Sequence, residues 1–102
     1  MIKVKNIFSN IPKILPDELF EDILSTKNFR VERIVSKEHT TPKGKWYNQE
    51  QNEFVMILEG NAELFFEEGI VKMKKGDYII IPAHVKHRVE KTDNVVWLTI
   101  FY

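Results

Sequence analysis

From Phe29 onward the chain is a succession of short apolar stretches broken by Gly, Pro, Asn and Asp, and this pattern constrains its fold most. Phe29, Val31 and Val35 share one side of an extended segment, with Arg30, Glu32 and Ser36 on the other, because side chains alternate along a strand. Arg33 interrupts the apolar side. Thr41 to Gly44, with Pro42, reads as a loop, and Trp46 to Gln49 resumes extended structure. Phe54 to Leu58 is a continuous apolar run suited to a strand covered on both faces. Ala62, Leu64 and Phe66 then alternate with Glu63, Phe65 and Glu67, and Glu68-Gly69 and Lys75-Gly76-Asp77 turn the chain. Tyr78 to Ile81 ends at Pro82, which cannot donate to a ladder; His87 to Glu90 and Val95 to Tyr102 complete the series. Turn signals about every 8–12 residues, without alternating helices, predict an all-β sandwich or barrel.

The first 28 residues read differently. Ile2, Val4, Ile7 and Phe8 suggest a short edge strand. Pro16 is placed to open a helix, with Asp17 and Glu18 near its positive end, and Leu19, Phe20, Ile23 and Leu24 recur at helical spacing. The expected organisation is one domain, with an arm and short helix over 1–28 and a barrel over 29–102. In the last segment Val96, Leu98 and Ile100 lie on one side and Val95, Trp97 and Phe101 on the other. A peripheral strand apolar on both sides must bury its second face, against either the N-terminal helix or another subunit, and a homodimer is the favoured expectation.

Fifteen basic and fifteen acidic residues cancel, so the summed positive field that nucleic acid or anionic membranes attract is absent. There are no cysteines, which removes disulfides, thiolate metal sites and cysteine nucleophiles. The N-terminal residues lack the apolar core of a secretion signal, and a soluble, cytoplasmic protein is expected.

The residues that carry chemistry fall in two blocks, Trp46 to Gly60 and Gly76 to His87. Tyr47 and Gln49 project to the same side of their segment. Glu53 opens an apolar strand, where a carboxylate is costly unless a metal, a cation or hydrogen-bond donors meet it. His87 follows a tight turn and stands at the mouth of the next strand.

These blocks resemble those of the cupin superfamily. Its first block runs Gly, five residues, His-x-His, three or four residues, Glu, six residues, Gly; here Glu53 and Gly60 keep that spacing, while Tyr47 and Gln49 stand at the two histidine positions. Its second block runs Gly, five residues, Pro-x-Gly, two residues, His, three residues, Asn. Gly76, Pro82 and His87 match it, with His84 at the inner glycine and Lys91 at the asparagine. The resemblance implies a double-stranded β-helix, or jelly-roll barrel, with a central pocket for a divalent metal such as Fe, Mn, Ni or Zn, a small molecule, or both. It implies Gln49, Glu53 and His87 as metal ligands, with Tyr47 as a further ligand or a catalytic acid or base. Arg33 is a candidate anion anchor, and His84 and Trp46 are candidate substrate contacts. A metal-dependent enzyme, a non-catalytic ligand-binding module and a dimeric interaction domain all remain open.

Overall fold

The computed structural model describes all 102 residues. Eight strands follow one another: β1 (Leu19–Ser25), β2 (Arg30–Lys37), β3 (Glu53–Glu59), β4 (Asn61–Phe66), β5 (Gly69–Lys74), β6 (Tyr78–Ile81), β7 (His87–Thr92) and β8 (Asn94–Phe101). They form a five-stranded sheet in the order β1-β2-β8-β3-β6 and a three-stranded sheet in the order β5-β4-β7. Every pairing is antiparallel. No helix long and apolar enough to cross a membrane is present.

The helix expected from Pro16 is a strand instead. Leu19, Phe20, Ile23 and Leu24 fit a helical stripe, but one short helix would satisfy few of its own backbone groups. Pairing with β2 satisfies those groups along the whole segment, from Leu19 opposite Val35 to Ser25 opposite Arg30. A register shift between Asp22 and Leu24 produces the irregular apolar spacing that imitates a helix. The edge strand expected over residues 2–8 is also absent: residues 1–6 form no regular element and residues 7–10 form a turn.

The last strand is not peripheral. β8 is the centre of the larger sheet, with β2 on one side and β3 on the other. Its inward residues Val95 and Trp97 join Val55, Ile57, Ala62, Leu64, Met73 and Ile81 in a core drawn from both sheets. Its outward residues Leu98 and Ile100 pair across from Met56 and Phe54, which in turn face Tyr78 and Ile80 of β6. An uncharged strip three strands wide therefore lies on the outer surface, where Tyr78 and Ile80 are 62% and 58% exposed.

The chain changes sheets between β3 and β4 at Gly60, which has φ of 90°. A Cβ there would lie 2.1 Å from the Asn94 carbonyl oxygen, so backbone from the β7–β8 turn occupies the space. Gly76 has nearly the same φ, 89°, but nothing within 4 Å of a built Cβ. Gly76→Ala is therefore expected to cost about 1–2 kcal/mol, the left-handed strain alone. Gly60→Ala is expected to cost more, because backbone must also move. Urea unfolding of the two variants measures the difference; equal costs would refute the close approach at Gly60.

Candidate functional site

The inward residues of the strands change character toward one end of the barrel. Along β8 they run Val95, Trp97, Thr99, Phe101, and along β3 they run Ile57, Val55, Glu53. At that end the core opens into a cavity of about 60 Å³. Its floor and sides include Ile34, Val55, Leu64, Ile81, Val89 and Trp97, and its polar groups come from Glu18, Tyr47, Gln49, Glu53, His87 and Thr99.

Glu53 is fixed by sheet register. Its backbone lies between Phe101 of β8 and Ile81 of β6. Asn52 and Tyr102 exchange backbone hydrogen bonds of 2.9 and 3.0 Å just beyond, and the Asn52 side chain accepts a bond from the Ala83 N–H at 3.0 Å. The Glu53 residue is only 7% exposed, yet its Oε1 has no hydrogen-bond partner. Thr99 Oγ1, on the same cavity wall, is also buried without a partner. A buried polar atom left unpaired costs about 1–3 kcal/mol, so both invite an occupant.

His87 is fixed by its neighbours. Its backbone pairs with Tyr47 in both directions, at 2.7 and 3.1 Å, which straps the loop before β3 onto β7. The imidazole sits between the rings of Tyr47 and Phe66, with centroids at 5.5 and 5.8 Å and interplanar angles of 27° and 26°. Its Nδ1 lies 2.9 Å from the Val85 carbonyl oxygen. A carbonyl can only accept, so Nδ1 carries a proton, and in the neutral ring Nε2 holds a bare lone pair. That Nε2 faces Glu53 Oε1 at 3.6 Å, too long for a hydrogen bond and close enough for strong charge interaction.

Burial is the largest single influence on the His87 imidazole and lowers its pKa, but the Glu53 carboxylate and the Val85 carbonyl together outweigh it. The net direction is upward from the ordinary 6.5. The Tyr47 hydroxyl is also raised, first by burial and then by the charges of Glu18 and Glu53. It is therefore held in its protonated form at neutral pH.

Of the residues singled out in the sequence, Tyr47, Gln49, Glu53 and His87 line the one cavity. Three others stand outside it. The Arg33 side chain is buried but ion-paired with Glu21, and it donates to the Ile7 carbonyl at 2.9 Å and to the Ser9 carbonyl. It lies on the outward side of β2, opposite the face that carries Ile34 into the cavity. His84 is exposed in the turn after β6, with φ of 66°, and its N–H donates to the Gln49 carbonyl at 2.7 Å. This left-handed backbone is the reason a glycine suits that position in the cupin pattern. Trp46 is 42% exposed and packs on Phe65, with Arg88 over its ring.

Two cavity residues were hidden in the sequence, Glu18 and Phe20. Both belong to the segment read as a helix; as part of an extended chain entering β1 they alternate onto the cavity side, where Phe20 pairs across from Ile34. Thr99 was equally silent, since a threonine within an apolar strand carries no site signal.

The family model described as "Cupin domain" matches residues 34–101. The chain belongs to this cupin domain family. Among solved structures, a proposed mannose-6-phosphate isomerase from Ralstonia eutropha JMP134 is 37% identical, covers 98% of this chain and 97% of its own, and superposes with a TM-score of 0.93. An RmlC-like cupin from Desulfovibrio desulfuricans shares 15% identity over 99% of this chain and 96% of its own, with a TM-score of 0.79. A Streptococcus pyogenes protein of unknown function shares 16% identity over 99% and 87%, with a TM-score of 0.80. At these lower identities the likeness is one of fold. No curated protein matches the chain. The cupin fold expected from the two blocks is thus present, without the N-terminal helix.

The raised imidazole pKa links this site to stability. A group whose pKa rises on folding stabilises the fold when protonated, fully below its unfolded value near 6.5, and loses that contribution as pH rises through the folded value. The unfolding free energy of metal-free protein is expected to fall between pH 6 and pH 9, and His87→Gln is expected to flatten that slope. Identical slopes would show that His87 gains no net stabilisation of its charged form.

Proposed function

We propose that this cupin binds a divalent cation, a small polar molecule, or the two together in its barrel cavity, with Glu53 and His87 as the holding pair. One observation carries the reading. A buried carboxylate oxygen with no hydrogen-bond partner faces the Nε2 of a ring whose other nitrogen is already engaged. A lone pair and an anion facing each other call for a positive charge between them.

The donor chemistry fits such a charge. Neutral imidazole and carboxylate both ligate Fe, Mn, Ni or Zn, and Gln49 and Tyr47 offer neutral oxygens on the same cavity. No group of three or more His, Cys, Asp or Glu gathers here, so the hold is weaker than that of a three-histidine site. A bound metal would supply Lewis acidity toward an oxygen of a neighbouring molecule. The chain's own residues then divide the work. Glu53 and His87 hold, the Val85 carbonyl fixes the ring, and Tyr47, kept protonated by burial and by two carboxylates, is the proton donor on the wall. In an enzyme Tyr47 is therefore an acid before it is a base.

A metal-free binding module is the second reading. It is favoured by Tyr47 and Gln49 at the positions where the cupin pattern has histidines. The name of the Ralstonia protein points to a sugar phosphate. A cavity of about 60 Å³ is far below the roughly 300–1,000 Å³ of a drug-sized ligand site, and we do not extend that substrate to this chain.

Chelator-treated protein titrated with Mn²⁺, Fe²⁺, Ni²⁺ and Zn²⁺ separates the two readings. At about a hundredfold excess over Kd, binding is expected to raise the melting temperature by roughly 10–20 °C. Glu53→Gln and His87→Gln are each expected to abolish the rise. A flat response to all four metals would leave the metal-free module standing.

We also propose that a second copy covers the outer strip formed by Phe54, Met56, Tyr78, Ile80, Leu98 and Ile100. Its support is that exposed, uncharged surface this wide is uncommon on a monomer, and that a sheet face can pair with itself about a two-fold axis. Light scattering is expected to give about twice the chain mass of 12.1 kDa, and Ile80→Glu to return it to one. A monomeric wild type would reject the dimer.

A further inference from the structure

The cavity wall has a sign. Two carboxylates, Glu18 and Glu53, line it, and no lysine or arginine does. Arg33, the candidate anion anchor, is engaged on the other face of β2 by Glu21 and two backbone carbonyls. Arg30 stacks on Phe101, 4.5 Å from the ring centroid, but its guanidinium lies 3.4 Å from Glu32 and 3.8 Å from Asp22, which balance its charge.

Glu18 is held in place by a short buried relay. The Trp97 indole N–H donates at 3.0 Å to Ser36 Oγ, and the Ser36 hydroxyl donates to Glu18 Oε2. Ser36 is fully buried, so the relay fixes one carboxylate oxygen from inside the barrel. On the other side Glu53 Oε1 and Thr99 Oγ1 are buried acceptors without partners. Phe20, Tyr47, Trp97 and Phe101 supply aromatic surface to the same space. Carboxylates beside aromatic rings, in a cavity with room for a few heavy atoms, are the chemistry that recognises an ammonium group on a short carbon stem.

We infer that the cavity takes a small organic cation, a primary alkylammonium of a few heavy atoms, whose charge lies between Glu18 and Glu53 and whose carbon stem lies on the surrounding rings. The inference rests on the reading of this cavity as a ligand site and adds the charge and class of the ligand. Glu18 is the specificity-determining residue. It makes the wall doubly anionic and so disfavours carboxylates and phosphates, which would meet two like charges against the single imidazole of His87.

Calorimetric titration of the full, chelator-treated chain at neutral pH and low salt tests this with n-propylammonium, propionate, 1-propanol and inorganic phosphate as probes. Propylammonium is expected to bind in roughly the millimolar range, about tenfold or more tighter than propanol, with no binding of propionate or phosphate. Glu18→Gln keeps an oxygen for Ser36 and is expected to weaken propylammonium about tenfold while leaving propanol unchanged. Its melting curve checks that the fold is intact. Propionate or phosphate binding as well as propylammonium would overturn the inference, as would an unchanged propylammonium affinity in Glu18→Gln. Divalent cations binding through Glu53 and His87 while propylammonium fails would remove the ligand class and leave the cavity reading intact. Failure of both would remove the two together.

Discussion

The site depends on one gap, the 3.6 Å between Glu53 Oε1 and His87 Nε2. The two residues belong to different sheets, so the gap exists only because both sheets are held in register at the open end of the barrel. On one side, β3 is pinned between β8 and β6, with Glu53 opposite Phe101 and Ile81. On the other, the pairing of His87 with Tyr47 and the flanking rings of Tyr47 and Phe66 set the imidazole plane. A shift of one residue in either pairing would turn these side chains away from the cavity, because the side-chain period of a strand is two.

The apolar core and the site are continuous, and they work against each other. Val55, Ile57 and Trp97 exclude water and keep the barrel closed; the same dryness makes an unpaired carboxylate costly. Replacing Glu53 with an apolar residue of similar size would relieve that cost. Its presence at the head of an apolar run is the kind of local conflict found at functional or strained positions.

Much of this was legible in the sequence, for identifiable reasons. The strands after Phe29 announce themselves through alternation and through Gly and Pro at the turns, signals set by local backbone physics. Glu53 and His87 were legible because a carboxylate at the start of an apolar run and a histidine after a tight turn are each conspicuous, and the spacing of the two blocks links them. What was not legible depended on partners distant in sequence. The segment from Leu19 to Leu24 has helical spacing only because a bulge interrupts its alternation, and its strand identity comes from β2. With that segment misread, Glu18 and Phe20 could not be placed on the cavity. Arg33 broke an apolar pattern, but that side of β2 faces outward, toward the N-terminal arm and Glu21. The role of Trp97 in holding Glu18 through Ser36 emerges only from the relay.

The central claim is that neutral His87 presents a bare Nε2 to an unsatisfied carboxylate, so that the space between them belongs to a cation. Nitrogen-15 NMR of the His87 ring, in ligand-free protein at a pH above its raised pKa, reads this directly. The account predicts the proton on Nδ1, bonded to the Val85 carbonyl, and an unprotonated Nε2. A proton on Nε2, donated to Glu53, would close the gap with an ordinary hydrogen bond and contradict the account.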